Sequence, residues 1–334
     1  MGRPRLNKIQ PATGRIKVEP EDFIVEEIPS YEPVGEGTHW FFWIEKRGLT
    51  TRRAVAMLAA KLGVRARDIG TAGLKDRHAL TRQYLSAEHV DGAALSGWEQ
   101  DGLRVLRAVP HRSKLRTGHL RGNRFSIRVR AIAPAEAARL AEEGTALASG
   151  VPNYYGDQRF GRDGSNVDEA REWLAEGGRP PKERFKRRFL VSALQSAAFN
   201  AVLAARVERG CVHQAMAGDV LMTARGGIFE DDDLEAVRRR MDAGEIDPTG
   251  PMFGGDMRRA QGLAGALESS VEDAFGFGPT MYARMGKLGL GTRRALRIRP
   301  AALKLMAEDD TLELSFELPR GAYATVVLDE LIRA

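Results

Sequence analysis

The stretch that decides how this sequence folds is residues 71–86, TAGLKDRHALTRQYLS. Its opening Ala-Gly-Leu predicts a tight turn and its end predicts a strand, so Asp76 lies on the loop between them. Lys75 and Arg77 flank Asp76, and nearby opposite charges favour an ionised carboxylate. Such a carboxylate suits a nucleophile or a base, but aspartate also closes ordinary turns by bonding to its own backbone. Taken alone, the stretch favours the ordinary turn.

Length and composition set the class of protein. The 334 residues suffice for two domains, and 43% hydrophobic with 29% charged residues is typical of a soluble globular protein. No run of about 18 apolar residues occurs and the start lacks the apolar core of a signal peptide, so we expect no membrane association. The single cysteine, Cys211, excludes an internal disulfide and favours a reducing compartment, so we expect a cytoplasmic protein.

Motifs of metal and nucleotide enzymes are missing from the sequence. The six histidines show no HExxH spacing, and there is no CxxC pair. There is also no GxxxxGK[ST] loop and no GxGxxG motif that opens a helix after a strand. A zinc site is therefore not expected, and a nucleotide cofactor is disfavoured.

Positive charge is unevenly distributed along the chain. The net charge is +6 with an isoelectric point near 9.5, and residues 102–135 contain no acidic residue. Further basic clusters lie at residues 179–189 and 293–299. Basic segments that alternate with aromatic residues favour a polyanion such as nucleic acid over merely solvated faces.

The predicted elements indicate an α+β fold. Residues 124–130 and 312–318 alternate between apolar and polar side chains, as half-buried strands do. In the first, Arg124, Arg128 and Arg130 lie opposite the apolar face, which fits either a surface exposed to RNA or an ordinary solvated strand. A helix is predicted at residues 192–209, with a serine cap and a glycine stop. Strand-rich ends around a helical middle suggest a sheet domain interrupted by an inserted domain.

Six motifs, in order along the chain, carry a resemblance to a known family. They are KxxPEDF at 17–23, GEGxH at 35–39, AGLKDRHA at 72–79, GNxF at 122–125, VPNYYGxQRFG at 151–161 and LPxGxYAT at 318–325. Together they resemble the TruD family of transfer-RNA pseudouridine synthases.

The resemblance implies both an architecture and an activity. Residues 1–149 plus 298–334 would form a catalytic domain of the pseudouridine synthase type, with a mixed and largely antiparallel sheet. Residues 150–297 would form an inserted, mostly helical TRUD domain, with an RNA cleft between the two. The activity would be that of an isomerase that converts a uridine of transfer RNA, typically at position 13, to pseudouridine without metal or cofactor. We expect a monomer with no obligate protein partner.

The resemblance also assigns roles to individual residues. Asp76 corresponds to the catalytic nucleophile, and Phe23 and Asn123 to substrate contacts. Tyr323 stands where the family commonly has phenylalanine, and Phe125 where most other pseudouridine synthases have tyrosine. Lys17 is the expected basic partner of Asp76.

The reaction itself explains these residue types. Uracil must leave the ribose at N1, turn over and rejoin through C5, and Asp76 could start this by attack or by removing a ribose proton. Both routes remain open on the sequence. Phe23, Phe125 and Tyr323 could enclose the detached base, and Asn123 offers a donor and an acceptor to a uracil edge.

Basic side chains would offset the cost of extruding the target base through phosphate contacts. The expected RNA contacts are Lys75, Arg77, Arg112, Lys114, Arg116, Arg159, Arg184, Lys186, Arg187 and Arg188. Two alternatives are a non-catalytic RNA-binding protein and a base-removing hydrolase. A hydrolase usually needs two carboxylates, and the acid that most closely precedes Asp76 in the sequence is Asp68.

Overall fold

The computed structural model describes residues 3–333, which separate into two compact units. One unit contains residues 9–148, residues 300–324 and the chain from Leu331 onward. The other contains the residues up to Lys8, residues 149–299 and residues 325–330. Helices and strands are mixed throughout, so the predicted α+β class is confirmed.

Most of the longer strands belong to the unit that includes Asp76. The strands are β1 (Ala12–Thr13), β2 (Phe23–Pro29), β3 (His39–Arg47), β4 (Gly70–Thr71), β5 (Leu80–Glu88), β6 (Glu99–Gln100), β7 (Leu103–His111), β8 (Leu120–Val129), β9 (Val151–Pro152), β10 (Leu221–Thr223), β11 (Ile228–Phe229), β12 (Ile246–Met252), β13 (Thr292–Ala295), β14 (Arg297–Ile298), β15 (Ala301–Glu308), β16 (Thr311–Pro319) and β17 (Ile332–Arg333).

The longest helices belong to the other unit. The α-helices are α1 (Thr51–Leu62), α2 (Pro134–Glu143), α3 (Ser165–Leu174), α4 (Arg184–Glu208), α5 (Leu234–Asp242), α6 (Gly262–Phe275), α7 (Pro279–Met285) and α8 (Ala324–Asp329).

The first unit is built on one mixed sheet with the strand order β15-β16-β8-β2-β5-β3-β7-β6, and β4 pairs with β5. Only β2 and β5 pair in parallel among the described strands of this sheet. A parallel pair needs a crossover between its strands, and the chain between β2 and β5 supplies it with β3 and α1. The loop that carries Asp76 therefore leads into β5, a central strand of the sheet.

The register sorts the side chains of this sheet onto two faces. Phe125 of β8 lies opposite Phe316 of β16 and Val25 of β2, and all three are buried. One step along, Asn123 lies opposite Glu27 and Leu318, so these three share the same face. Polar side chains are thus placed at one end of an apolar face.

The opposite face of the sheet carries cross-strand ion pairs. Arg124 contacts Glu26 and Glu317 on the two neighbouring strands, and Arg128 contacts Glu313. The arginines of β8 lie in a stretch of sequence without acidic residues, but they pair with glutamates of the neighbouring strands. Of the two interpretations of these arginines, the structure favours an ordinary paired surface.

The second unit is organised around α4. Leu190, Leu194, Ala198 and Val202 recur along this helix and are buried in a core shared with α3, α6 and α7. A four-stranded sheet of order β11-β10-β12-β13 belongs to the same unit. Arg293 of β13 forms a buried ion pair with Glu268, at 2.6 Å, so part of the third basic cluster is structural.

The predicted start of α4 at residue 192 was wrong. The helix begins at Arg184, and Ser192 lies inside it, where its Oγ accepts a hydrogen bond from Arg159. The basic residues before Ser192 hid the helical period of the apolar ones. In the described part of the chain, α4 is also the one helix long and apolar enough to span a membrane, but 67% of its most apolar window is buried within the protein.

Candidate active site

Asp76 lies on the loop between β4 and β5, and hydrogen bonds to the backbone of this loop fix its position. Gln83 Nε2 donates to the carbonyl of Gly73 at 3.0 Å, and the backbone N of Lys75 donates to Thr51 Oγ1 at 2.9 Å. Thr51 Oγ1 in turn donates to Gln83 Oε1 at 3.0 Å. Gln83 and Thr51 are buried, so the sheet and the first turn of α1 fix the path of the loop.

The carboxylate of Asp76 is oriented from two sides. Its Oδ1 accepts a hydrogen bond from the backbone N of His78 at 3.1 Å, which is the turn geometry typical of aspartate. Its Oδ2 lies 2.5 Å from Lys17 Nζ. Both side chains of this ion pair are about one fifth exposed, with values of 24% for Asp76 and 20% for Lys17. The carboxylate therefore combines fixed geometry with solvent access.

Lys17 reaches Asp76 from a strained backbone. Its φ is 55°, in the left-handed region that a lysine seldom adopts. The same Nζ lies 4.4 Å from the centroid of the Phe23 ring. Strain of this kind persists only where surrounding contacts impose it, and it is frequent at functional sites. One ammonium thus links two residues that the sequence assigned to the site.

The segment after Lys17 is fixed by a buried carboxylate. Asp22 ends a short 3-10 helix, Pro20–Asp22, and accepts hydrogen bonds from Arg130 on both of its oxygens at 2.7 to 2.9 Å. Burial is the largest single influence on the pKa of Asp22 and raises it, but the hydrogen bonds from Arg130 and from the backbone of Glu19, together with the charges of Arg130 and Arg128, lower the pKa overall. The aspartate of the KxxPEDF motif therefore positions Lys17 and Phe23.

Lys46 supports the Asp76 loop from within the sheet. Its side chain is fully buried and donates to the carbonyls of Asp76 at 2.7 Å and Leu49 at 2.6 Å. Burial lowers the pKa of Lys46 to about 8, against the opposing effect of the Asp76 charge. A buried lysine on neutral acceptors is costly, so its place next to Asp76 points to a role in the site.

Lys75 turns away from the carboxylate beside it in the sequence. Its Nζ forms an ion pair with Glu27 Oε2 at 3.1 Å, without the geometry of a hydrogen bond. The same Nζ donates a hydrogen bond to Asn123 Oδ1. Lys75 and Glu27 are 4% and 0% exposed. Burial lowers the pKa of Lys75 and raises that of Glu27, while their mutual attraction opposes both shifts. The cation predicted to flank Asp76 is therefore paired elsewhere.

Aromatic rings continue the same sheet face. Phe23 and Phe125 meet edge to face with ring centroids 6.3 Å apart, and Phe125 stacks on Phe316 at 5.4 Å. Both Phe23 and Phe125 are buried. Tyr323 is half-buried just after β16, whose Leu318 lies opposite Asn123.

This arrangement can be compared with known proteins. A family model described as tRNA pseudouridine synthase D (TruD) matches residues 4–177 and 183–331. The chain belongs to the TruD family. A curated tRNA pseudouridine synthase D of Anaeromyxobacter dehalogenans is 46% identical to it, with 96% of this chain and 93% of that protein covered. Another, from Thermus thermophilus, is 42% identical, with 96% and 89% covered.

A solved structure shares the fold. A crystal structure of a Methanosarcina mazei protein described as TruD matches with a TM-score of 0.77 over 98% of this chain and 95% of that one. The two sequences are 24% identical. The TruD fold thus holds for this chain at low sequence identity.

Within this TruD fold, the sheet unit brings together Lys17, Phe23, Asp76, Asn123 and Phe125 through direct contacts or short chains of contacts. Lys75 links the Asp76 loop to Asn123. The described residues include no cluster of three histidine, cysteine, aspartate or glutamate side chains suited to a metal ion.

The expected RNA contacts of the sheet unit differ in their exposure and in whether they already contact other protein groups. Lys75 is buried, so its side chain is not open to a polyanion. Arg77 and Arg116 are exposed. Arg112 is exposed but pairs with Glu36, and Lys114 donates to the carbonyl of Arg67 at 3.3 Å.

The expected contacts of the other unit cluster at the start of α4. Arg184 and Arg188 are exposed, whereas Lys186 pairs with Glu169 at 2.5 Å. Arg187 donates to the carbonyls of two residues before the helix, at 2.6 and 3.2 Å. Arg159 lies against the rings of Tyr155 and Phe189 and donates to Ser192.

Sequence reasoning missed three buried polar residues behind the loop, namely Glu27, Lys46 and Gln83. A signal for Lys46 existed, because strand alternation places it on the face of Phe42 and Ile44. Glu27 likewise follows Phe23 and Val25 at intervals of two. A charged residue at an apolar position of a strand indicates a buried polar contact, which is an ion pair with Lys75 for Glu27 and a pair of backbone carbonyls for Lys46.

Proposed function

We propose that this chain is a transfer-RNA pseudouridine synthase that isomerises a uridine, at position 13, to pseudouridine. The observation that carries the proposal is the Lys17–Asp76 ion pair, partly exposed and held over the sheet face that bears Asn123 and the phenylalanines. Family membership and relatives named tRNA pseudouridine synthase D support it.

Asp76 is the group that starts the reaction. The N1 to C1′ bond breaks, C1′ joins C5, the C5 proton leaves and N1 gains a proton, so no electrons are gained or lost overall. No oxidant, reductant or cofactor is needed for this balance. Lys17 keeps the Asp76 carboxylate oriented, and a preorganised negative charge of this kind stabilises the cationic character that develops at the ribose.

The remaining residues hold and read the base. Phe23, Phe125 and Tyr323 enclose the detached uracil, and Asn123 bonds to its edge. Phe23 is covered by the Lys17 ammonium, so stacking on its ring would require Lys17 to shift. This would couple base entry to the position of the Asp76 partner.

The domain organisation and the RNA contacts of the protein would follow the family. Residues 1–149 with 298–334 would be the catalytic domain, and residues 150–297 the inserted TRUD domain. RNA phosphates would contact exposed basic residues, among them Arg77, Arg116, Arg184 and Arg188. The protein would act in the cytoplasm as a monomer, without metal or cofactor.

A base-removing hydrolase is the less favoured alternative. Such an enzyme usually needs a second carboxylate to activate water. Glu27 is a nearby candidate through Lys75, but its side chain is fully buried and paired with that lysine. A water-activating role for Glu27 is therefore disfavoured.

The test compares wild-type protein with Asp76→Ala on transfer-RNA transcripts. Pseudouridine, free uracil and RNA binding are measured in the same reactions. We expect pseudouridine from wild type alone and binding by both proteins. Free uracil would support the hydrolase, and RNA binding without any product from wild type would overturn the enzyme proposal.

A further inference from the structure

We propose that Lys75, held by Glu27, locks the side-chain amide of Asn123 in one orientation and thereby makes the site select uridine over cytidine. This inference rests on the proposed function. Glu27 and Lys75 act here as positioning residues, because neither side chain is exposed enough to reach a base directly.

The orientation of an asparagine amide follows from its partners. An ammonium has three donors and no acceptor, so the Asn123 atom that contacts Lys75 Nζ must be Oδ1. Nδ2 then points away from Lys75. Asn123 is half-buried, and the described residues provide no acceptor for its Nδ2.

Glu27 keeps the locking cation in place. Its carboxylate lies 3.1 Å from Lys75 Nζ and also accepts from the backbone N of Tyr84 at 3.3 Å. Glu27 and Asn123 are direct cross-strand neighbours on β2 and β8, so the lysine spans a fixed gap. Without this carboxylate the buried lysine would tend to lose its proton, and a neutral amine can accept as well as donate. Asn123 could then take either orientation.

Uracil and cytosine differ in the pattern that an amide reads. Uracil presents a donor at N3 and an acceptor at O4, whereas cytosine presents an acceptor at N3 and a donor at its 4-amino group. A freely rotating amide could match either edge by exchanging its oxygen and nitrogen. A locked amide matches one order only, and Oδ1 still has a second lone pair for the uracil N3 proton. The lock therefore turns a permissive contact into a selective one.

The experiment measures dissociation constants for two RNAs that differ only in uridine or cytidine at the target position. Full-length protein carrying Asp76→Ala is used so that no turnover occurs. Phosphate contacts contribute equally to both RNAs and cancel in the ratio. With Lys75 intact we expect uridine RNA to bind more tightly by roughly 5- to 150-fold, the range for one bidentate base contact.

Three substitutions then test the lock. We expect Lys75→Met to bring the ratio to within about 2-fold of one, Lys75→Arg to restore most of it, and Glu27→Gln to reduce it. Glu26→Gln is the matched control, because it removes a carboxylate one residue away that pairs with Arg82 and Arg124 on the opposite face. Thermal melting shows whether each variant folds. If Lys75→Met does not fold, the ratio measured with Glu27→Gln decides the test.

An unchanged ratio in the folded Lys75→Met or Glu27→Gln protein would overturn the lock, as would a ratio near one with Lys75 intact. In a separate arm, wild-type protein is assayed for pseudouridine. If product forms while the ratio is insensitive to the variants, only the lock fails. If no product forms, the proposed function fails and the lock with it.

Discussion

Lys17 is the residue on which the geometry of the Asp76 carboxylate depends most directly. We expect Lys17→Met to lower kcat by about 100-fold, because the carboxylate loses the ammonium that orients it and small misplacements of a reacting group cost about that much. Lys17→Arg should recover part of the loss, since it keeps a cation. Initial rates of pseudouridine formation provide the measurement.

Lys304→Met is the control for Lys17. It removes an exposed lysine of the same unit, on β15, and should leave the rate unchanged. Equal rates for Lys17→Met and wild type would contradict the role assigned to Lys17.

Lys46 should make the free energy of unfolding depend on pH. The pKa of Lys46 is about 8 in the folded protein and about 10.5 in an ordinary environment, so between these values the unfolded chain binds the proton more strongly. The free energy of unfolding of wild type should therefore rise with pH across this window relative to Lys46→Met, by the order of a few kcal/mol. Below about pH 8 the difference between the two proteins should be constant.

Urea denaturation at several pH values between about 7 and 10 checks this expectation. Because the tyrosines are present in both proteins, their titration cancels in the difference. Curves that stay parallel over the whole range would show that Lys46 titrates normally.

At this scale the sequence predicted residue types better than pairings. The motifs indicated Lys17, Asp76 and Asn123, but adjacency in the sequence suggested that Lys75 would lie beside the Asp76 carboxylate and keep it ionised. Successive side chains on a loop point in different directions, and the structure sends Lys75 to Glu27, 48 residues earlier in the chain. Such a pairing depends on strand register, which one loop sequence does not contain.

Among the elements, the first turn of α1 supports both the helix and the loop that carries Asp76. Thr50 caps the helix by accepting from the backbone N of Arg53, whereas Thr51 accepts from Lys75 N and donates to Gln83. We expect Thr51→Val to reduce kcat by up to about 100-fold through displacement of the loop, with little change in RNA affinity.

Thr50→Val is the matched control, one residue away. It should cost about 1 kcal/mol in the free energy of unfolding through loss of the cap and leave kcat near that of wild type. Steady-state rates and urea denaturation of both variants separate the two roles. Similar kcat values for Thr51→Val and Thr50→Val would refute the anchoring role.

Elements with a clear local pattern were predicted well. The alternation of residues 312–318 falls within β16, and that of residues 124–130 falls within β8 but for its last residue. The start of α4 was missed because its first turn is basic and has no serine, threonine, asparagine or aspartate cap. Its apolar period begins at Leu190 and packs against α3, α6 and α7, so tertiary contacts extend the helix beyond its local signals.

For the whole molecule, the net charge of +6 overstates the surface available to RNA. Many arginines of the basic sequence clusters are paired, as Arg128 is with Glu313 and Arg293 with Glu268. We expect Arg184→Ala and Arg188→Ala, both on the exposed start of α4, to weaken RNA binding and to lower the slope of log K against log salt by about 1 each.

Arg128→Ala serves as the control and should leave that slope nearly unchanged, because Glu313 already compensates its charge. Filter binding at a series of salt concentrations gives the slopes. A larger effect of Arg128→Ala than of Arg184→Ala or Arg188→Ala would show that the RNA surface has been placed wrongly.

The central claim is that Asp76 carries out uridine isomerisation, a reaction in which C5 of the base must lose its proton. Transfer RNA labelled with tritium at uracil C5 tests it, because each turnover releases one tritium to water. We predict stoichiometric release from the target uridine by wild type, and none by an Asp76→Asn variant that still binds the RNA. Release by Asp76→Asn at the wild-type rate, or no release by wild type, would contradict the claim.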